Sequence, residues 1–143
     1  MKRTAYLPLA LLFLLLLPGL SAAQDVQSAI DQGIKHSQSG RYDQALQAFD
    51  QALKLKPNDP AIITYKATVY YAKRNYAQAM QLCEQALKLN PNFGRAYYQR
   101  GMIYDKQEKY DQALADLKKA KSLGYGIDPD FIALMERKAA ERK

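Results

Sequence analysis

The chain has 143 residues, of which 48% are hydrophobic and 24% charged, and its formal net charge is +7. This length suits one domain with a continuous core but not two. The basic residues are spread along the chain, which indicates a solvated basic surface, with weak attraction to acidic partners or anionic membranes as the alternative. The single cysteine, Cys83, excludes an internal disulfide.

Residues 1–23 differ in kind from the rest. Two basic residues precede a nearly uninterrupted apolar run over residues 5–17, and small residues follow up to Ala23. This order predicts a secretory signal peptide that is cut after Ala23. An uncleaved anchor is the disfavoured alternative, because the run is shorter than the roughly 20 residues that cross a bilayer. We therefore expect residues 24–143 to be exported as a soluble protein, periplasmic or secreted.

A Tyr-x-Gln-Ala phrase recurs every 34 residues, beginning at Tyr42, Tyr76 and Tyr110. Between 42–59 and 76–93, eleven of eighteen aligned positions are identical, so a unit has been duplicated. A repeat of this length predicts helix-turn-helix units that stack on one another. The predicted units are 26–59, 60–93 and 94–127.

Each unit is predicted to contain two helices. The first helices are expected at 25–38, 60–72 and 94–106, and the second helices at 42–55, 76–89 and 110–122. Pro57 and Pro91 lie just beyond the second helices of the first two units. Proline has no backbone N–H to donate, so it ends these helices. Asp59 and Pro60 then form a helix start, as N-cap and first-turn proline.

Small residues recur where paired helices approach closely. The first helices carry Gly33, Ala67 and Gly101, which we expect to face Ala45, Ala79 and Ala113 of the second helices. The space between is expected to be filled by Phe49, Cys83 and Leu117. Cys83 is thus predicted to be a small buried hydrophobe rather than a reactive thiol.

The third unit is followed by a second helix-start signal, Asp128-Pro129, which predicts a last helix over residues 128–142. One side of it carries Phe131, Leu134, Met135 and the stem of Lys138. A solenoid end needs an element that is apolar inward and polar outward, so we expect a capping helix.

With these features the chain resembles the tetratricopeptide repeat family, an all-α, alpha-alpha superhelix, here with three repeats plus a capping helix. It departs from the family pattern at Ala29 and Ile63, where a large aromatic residue is common and where only the third unit supplies one, Tyr97. It departs again at His36, where the other two units have tyrosines. The first unit is therefore expected to pack less tightly at its outer edge.

The resemblance implies that the first helices line a concave groove in which segments of other proteins dock. The predicted groove residues are Gln27, Ile30, Ile34, Ser37, Thr64, Tyr65, Thr68, Tyr71, Arg95, Tyr98, Gln99 and Met102. Tyrosines anchor many interfaces, but they also pack between neighbouring repeats, and both alternatives remain open here.

Some family members hold the terminal carboxylate of cytosolic chaperones with Lys, Asn and Arg side chains. At those places this chain has Ile30, Ile34, Tyr65, Arg95 and Gln99, and only Arg95 keeps the required chemistry. An exported protein would not meet that partner either, so the sequence disfavours a chaperone-tail receptor.

Catalysis has little support in the sequence. The only histidine, His36, occupies a structural tyrosine position, and neither a nucleophile motif nor metal-ligand spacing is present. The carboxylates on second helices are expected on a solvated outer face: Asp43, Asp50, Glu84, Asp111 and Asp116. We expect no enzyme activity and no cofactor.

The predicted function is that of a monomeric adaptor that binds a protein or peptide segment in its groove. No nucleic-acid motif is present, and no stable membrane insertion is expected once the signal peptide is removed. The alternative is a fixed structural subunit of an envelope or secretion assembly, which would use its convex or end surfaces.

Overall fold

The computed structural model describes residues 18–141, and these form seven α-helices and no strand. The helices are α1 (Pro18–Gln38), α2 (Tyr42–Leu55), α3 (Pro60–Ala72), α4 (Tyr76–Leu89), α5 (Gly94–Lys106), α6 (Tyr110–Ser122) and α7 (Pro129–Glu141). The predicted bounds of α2 to α6 are confirmed. The first helix begins at Pro18 rather than near residue 25, so the predicted cleavage point lies within it. Most of the predicted signal peptide, residues 1–17, lies outside the described residues.

The helices pair in chain order, α1 with α2, α3 with α4 and α5 with α6, and α7 packs on α6. Each pair also contacts the next one, and the first helices touch one another along the stack, α1 with α3 and α3 with α5. The buried apolar side chains form three successive clusters, one at each level of the stack. The all-helical superhelix predicted from the 34-residue period is thus confirmed.

The turn inside each pair repeats the same backbone geometry. A residue with positive φ follows each first helix: Gly40 at 71°, Arg74 at 61° and Glu108 at 57°. The next N–H then donates 2.9 Å back to the carbonyl five residues earlier, as Arg41 does to His36. This is the Schellman arrangement that ends a helix, and it turns the chain sharply enough to bring the second helix against the first.

The start of α3, between the first and second units, is capped by a side chain, whereas the start of α5 has no side-chain cap. Asp59 accepts hydrogen bonds from the backbone N–H groups of Ala61 at 2.8 Å and Ile62 at 3.3 Å. Pro60 occupies the first turn of α3, as predicted. Asp59 also lies 2.6 Å from the Lys56 ammonium, so it connects the end of one unit to the start of the next.

The two glycines of the first helices lie closest to the large residue of the second helix. A Cβ placed on Gly33 would lie 2.5 Å from Cε1 of Phe49, and its three nearest atoms all belong to that ring rather than to Ala45. A Cβ placed on Gly101 would lie 3.1 Å from Cγ of Leu117 and 3.3 Å from the carbonyl oxygen of Ala113, so Gly101 approaches Ala113 as predicted. Phe49 and Leu117 thus fill the space beside these glycines, as the sequence analysis expected.

The prediction that Asp116 lies on a solvated outer face is wrong. Its side chain is buried and forms a bidentate ion pair with Arg100, with Nε–Oδ2 at 2.6 Å and Nη2–Oδ1 at 2.9 Å. The Arg100 guanidinium also lies near the rings of Tyr97 and Tyr104, at 5.4 and 6.0 Å. The other four carboxylates of that group are exposed, as predicted.

The last helix covers the end of the third unit. Met135 is fully buried in the cluster that contains Leu117, while Phe131 and Leu134 are half-buried beside it. Ile132 and Ala139, which the sequence analysis did not single out, are buried as well. Lys138 donates 2.8 Å to Asp105 of α5. This arrangement is the one expected of a capping helix.

In the described part of the chain no helix is both long and apolar enough to cross a membrane.

Candidate functional site

The three first helices meet at a pocket on the concave side. It has a volume of about 340 Å³ and is lined by Ile34, Ser37 and Gln38 of α1, Phe49 of α2, Tyr65 and Thr68 of α3, and Arg95 of α5. Five predicted groove residues are thus brought together: Ile34, Ser37, Tyr65, Thr68 and Arg95. Gln38 and Phe49 were not predicted to lie in the groove.

The floor of the pocket depends on Gly33. Because Gly33 has no side chain, the Phe49 ring can lie directly against α1, where a Cβ would overlap it. Phe49 is almost completely buried, and it packs with Ile62 and Val69 of the next unit. The ring is therefore held firmly and gives the pocket an apolar base.

Two planar groups, the Tyr65 ring and the Arg95 guanidinium, are stacked above that base. The Tyr65 ring lies 5.4 Å from the Phe49 ring with only 7° between their planes. The Arg95 guanidinium carbon lies 4.8 Å from the centre of the Tyr65 ring. Such a cation–π contact holds a guanidinium by its face and leaves its N–H groups available at the edge. Arg95 is thus positioned at the rim of the pocket by residues of the two preceding units.

Two predicted groove residues do not reach the groove surface. Thr64 is fully buried, and its hydroxyl donates 2.7 Å to the Pro60 carbonyl. Gln99 is only 6% exposed; its amide oxygen lies 3.0 Å from the Thr68 hydroxyl, and its Nε2 is buried without a hydrogen-bond partner. Gln99 is covered where α5 meets α3, and Thr64 is covered within the stack.

The tyrosines farther along the groove pack against other aromatic rings. Tyr71 lies 5.6 Å from Tyr76, and Tyr98 lies 4.9 Å from Tyr125. Burial raises the pKa of both Tyr71 and Tyr98 above the ordinary phenol value, and neighbouring tyrosines raise it further. Both remain half-buried, so each packs within the stack and still presents part of its ring.

Of the remaining predicted groove residues, Ile30 and Met102 are half-buried and Gln27 is exposed. Ile30 packs against the first apolar cluster, and the Gln27 amide donates 2.8 Å to Asp31 of the same helix. Tyr125, which packs against Tyr98, was missed because it lies in the loop before α7, where no repeat position gives a signal. The predicted groove residues that reach the surface are therefore mostly partly buried.

Outside the pocket, Cys83 is buried, as predicted. Burial raises the pKa of its thiol to about 12. Among residues 18–141, no three His, Cys, Asp or Glu side chains are grouped as a metal site would require.

Paired helices that stack in chain order, with the first helices in contact along the stack, define a helical-repeat protein of the kind that presents extended binding surfaces. Two sequence profiles of the tetratricopeptide repeat match, one over residues 37–102 and one over 94–123, which together span more than half of the chain. The chain belongs to the tetratricopeptide repeat family, a fold that is typically a protein-interaction module.

Solved structures agree with this fold. The first tetratricopeptide domain of Spaghetti (RPAP3), bound to the HSP90 peptide SRMEEVD, has a TM-score of 0.71 and 23% identity, over 82% of this chain and 94% of that one. The TPR2B domain of yeast Sti1, in complex with pHsp70, has a TM-score of 0.71 and 21% identity, over 84% of this chain and 99% of that one. The Sgt2 TPR domain from Aspergillus fumigatus has a TM-score of 0.73 and 21% identity, over 82% of this chain and 80% of that one. No curated protein sequence matches significantly.

Proposed function

We propose that this chain is a non-enzymatic adaptor that binds a segment of a partner protein along its concave groove. The observation that carries the proposal is the pocket between α1, α3 and α5, where an apolar base and a cation at the rim are presented together. Apolar concavities with a few well-placed polar groups are typical of binding sites. A structurally similar domain is bound to a peptide, which supports the binding of a protein segment by a domain of this fold.

Export is part of the proposal. Residues 22–25 of α1 are exposed, and among residues 22–141 the first buried side chain is that of Ala29. Cleavage after Ala23 would therefore place the new N-terminus in an exposed stretch of α1. N-terminal sequencing of the protein recovered from its own cells should give Gln24 as the first residue. Recovery of a chain that still starts at Met1 in the membrane fraction would contradict export as a soluble protein.

The groove itself is tested by crosslinking from defined positions. A photoreactive amino acid in place of Thr68, which is exposed and lines the pocket, should form crosslinks to a partner protein in the native compartment. The matched control is the same replacement at Glu84, an exposed position on the second helix α4. Crosslinks from position 68 but not from position 84 are expected.

Crosslinks from position 84 but not from position 68 would favour the structural-subunit alternative. One observation supports that alternative. Leu55 and Leu89, at equivalent positions of two repeats, are 52% and 43% exposed at the ends of second helices. A fixed subunit could cover both. Crosslinks only from position 84 or from these leucines would replace the adaptor proposal.

A further inference from the structure

The charged residues near the pocket indicate which kind of ligand it can bind, and this inference rests on the proposed function. Within residues 18–141, four Lys or Arg residues are half-buried: Lys66, Arg95, Arg100 and Lys138. Three of them are paired with an aspartate, at 2.5 to 2.8 Å. Arg95 has no carboxylate partner in the described part of the chain.

An unpaired, half-buried cation is unusual because removing a charge from water costs free energy that a counter-ion normally offsets. Arg95 is also held in place by the Tyr65 ring, so its side chain has less freedom to lose when it binds an anion. Its edge N–H groups can take a carboxylate with two parallel hydrogen bonds. The missing counter-ion is therefore expected to come from the ligand.

The space beside Arg95 is suited to an apolar side chain. Phe49, Ile34 and the Tyr65 ring give the pocket its apolar surface, and a cavity of about 150 Å³ with such walls is enough for a benzene ring. A volume of about 340 Å³ thus accepts one large aliphatic side chain. The hydroxyls of Ser37 and Thr68 at the rim can bond to the ligand backbone.

We infer that the pocket recognises a large aliphatic residue next to an Asp or Glu inside a partner segment, with the carboxylate on Arg95. The acidic group is assigned to a side chain rather than to a chain terminus for a geometric reason. Half-buried apolar surface continues on both sides of the pocket, at Ile30 and at Tyr98, so a segment can follow the groove in both directions.

The test is selection from random dodecapeptides that are fused at both ends, using the purified chain in the form its cells produce. Selected peptides should be enriched in an aliphatic residue adjacent to Asp or Glu. With Arg95→Glu the enrichment should change to Lys or Arg, whereas Lys54→Glu, an exposed charge on α2 outside the pocket, should leave it as it was. An unchanged preference in the Arg95 variant would overturn the inference.

One selected peptide then serves for a double-mutant cycle. Replacing its acidic residue by the amide should weaken binding to the wild-type chain about tenfold, the size expected for a charge-assisted hydrogen bond. The same replacement should have little effect with Arg95→Gln. Equal losses in both backgrounds, or tighter binding of a peptide that ends in a free aliphatic carboxylate, would overturn the inference.

These outcomes are separable from failure of the proposed function. Partner crosslinks from position 68, together with selected peptides that show no acidic preference, would leave the adaptor function standing and remove this ligand. Absence of crosslinks from position 68 would remove the function itself.

Discussion

Because Gly33 has no side chain, α1 can lie close to α2, and the Phe49 ring can form the base of the pocket. The Phe49 ring occupies the space where a larger residue at position 33 would place its first carbon. The contact between Phe49 and Tyr65, and the one between Tyr65 and Arg95, both depend on that placement. A single position without a side chain thus supports a chain of contacts across three units.

Gly33→Ala should therefore destabilise the protein by about 1 to 3 kcal/mol, because a rigid ring must move to admit the methyl group. The matched control is Gly101→Ala, where the nearest atoms are Cγ of Leu117 at 3.1 Å and the Ala113 carbonyl oxygen at 3.3 Å. These neighbours need to shift by only a few tenths of an ångström, and the helix-forming tendency of alanine offsets more of the cost. Urea unfolding of both variants measures the difference. A Gly33→Ala protein as stable as Gly101→Ala would contradict this account of the base.

Because the pKa of Asp59 is lowered in the folded protein, the free energy of unfolding depends on pH in the acid range. Burial alone would raise the pKa of this carboxyl, but hydrogen bonds from Lys56 and from the Ile62 and Ala61 N–H groups outweigh it and leave the pKa below the ordinary 3.8. A lowered folded-state pKa means that the stabilisation is complete above the unfolded value and is lost as the pH falls through the folded value.

Asp59→Ala should cost about 1 kcal/mol at pH 7, since it removes an N-cap. The cost should shrink as the pH falls below about 4, in the range where the wild-type carboxylate is protonated. Thermal unfolding at several pH values measures it, with Asp59→Asn as the control that keeps an acceptor oxygen. A pH-independent cost would show that the charge of Asp59 is irrelevant to the cap.

At the scale of elements, α7 is the one helix among those of residues 18–141 that does not belong to a repeat, and it is held by two kinds of contact. Met135 fills the apolar end of the third unit, and Lys138 pairs with Asp105 while its ammonium lies 5.1 Å from the centre of the Tyr110 ring. Asp105 is largely buried on its side-chain atoms. Removal of α7 would thus expose an apolar surface and leave a carboxylate without its partner.

Deletion of residues 128–143 should cause aggregation, detectable by light scattering, and Met135→Ala should cost about 2 to 5 kcal/mol, as buried methionine truncations do. Arg137→Ala, on the exposed side of the same helix, should change stability by less than about 0.5 kcal/mol. If the truncated chain remains monomeric and as stable as the intact one, α7 is not a cap and is free to bind a partner.

At the scale of the whole molecule, the reactivity of the Cys83 thiol measures how often the stacked units separate enough to expose it. It lies at the centre of the middle cluster and is inaccessible to solvent, and each unit is supported by its neighbours. The thiol is also protonated at ordinary pH, because burial raises its pKa to about 12. Reaction with an alkylating reagent therefore requires the stack to open and then the thiolate to form.

We predict that Cys83 reacts slowly in the native protein and completely in denaturant, with native rates that increase in parallel with any loss of stability. Gln81→Cys, exposed on the same helix, should provide a thiol that reacts at once. Mass spectrometry of the alkylated protein over time separates the two. Rapid native labelling of Cys83 would show that the middle unit opens independently of its neighbours.

Much of the fold could be predicted from the sequence because the signals that set it are local. The capping Asp59 and the prolines beyond second helices act within a few residues of where they stand, and the 34-residue period repeats the same helix bounds from one unit to the next. They determine where α2 to α6 begin and end, and they identify Cys83 as a core residue. Part of the candidate site was accessible in the same way, since Ile34, Tyr65, Thr68 and Arg95 share one face of successive first helices.

What only the tertiary structure decided is which of those side chains remain at the surface. Thr64 and Gln99 occupy groove positions in the sequence pattern but are buried in the stack, Gln99 beside Thr68 of α3. Asp116 is buried and paired with Arg100. The stack of Phe49, Tyr65 and Arg95 joins three helices that are distant in the chain. A repeat period sets the direction of each side chain, whereas burial and pairing depend on the size and charge of neighbours in other units.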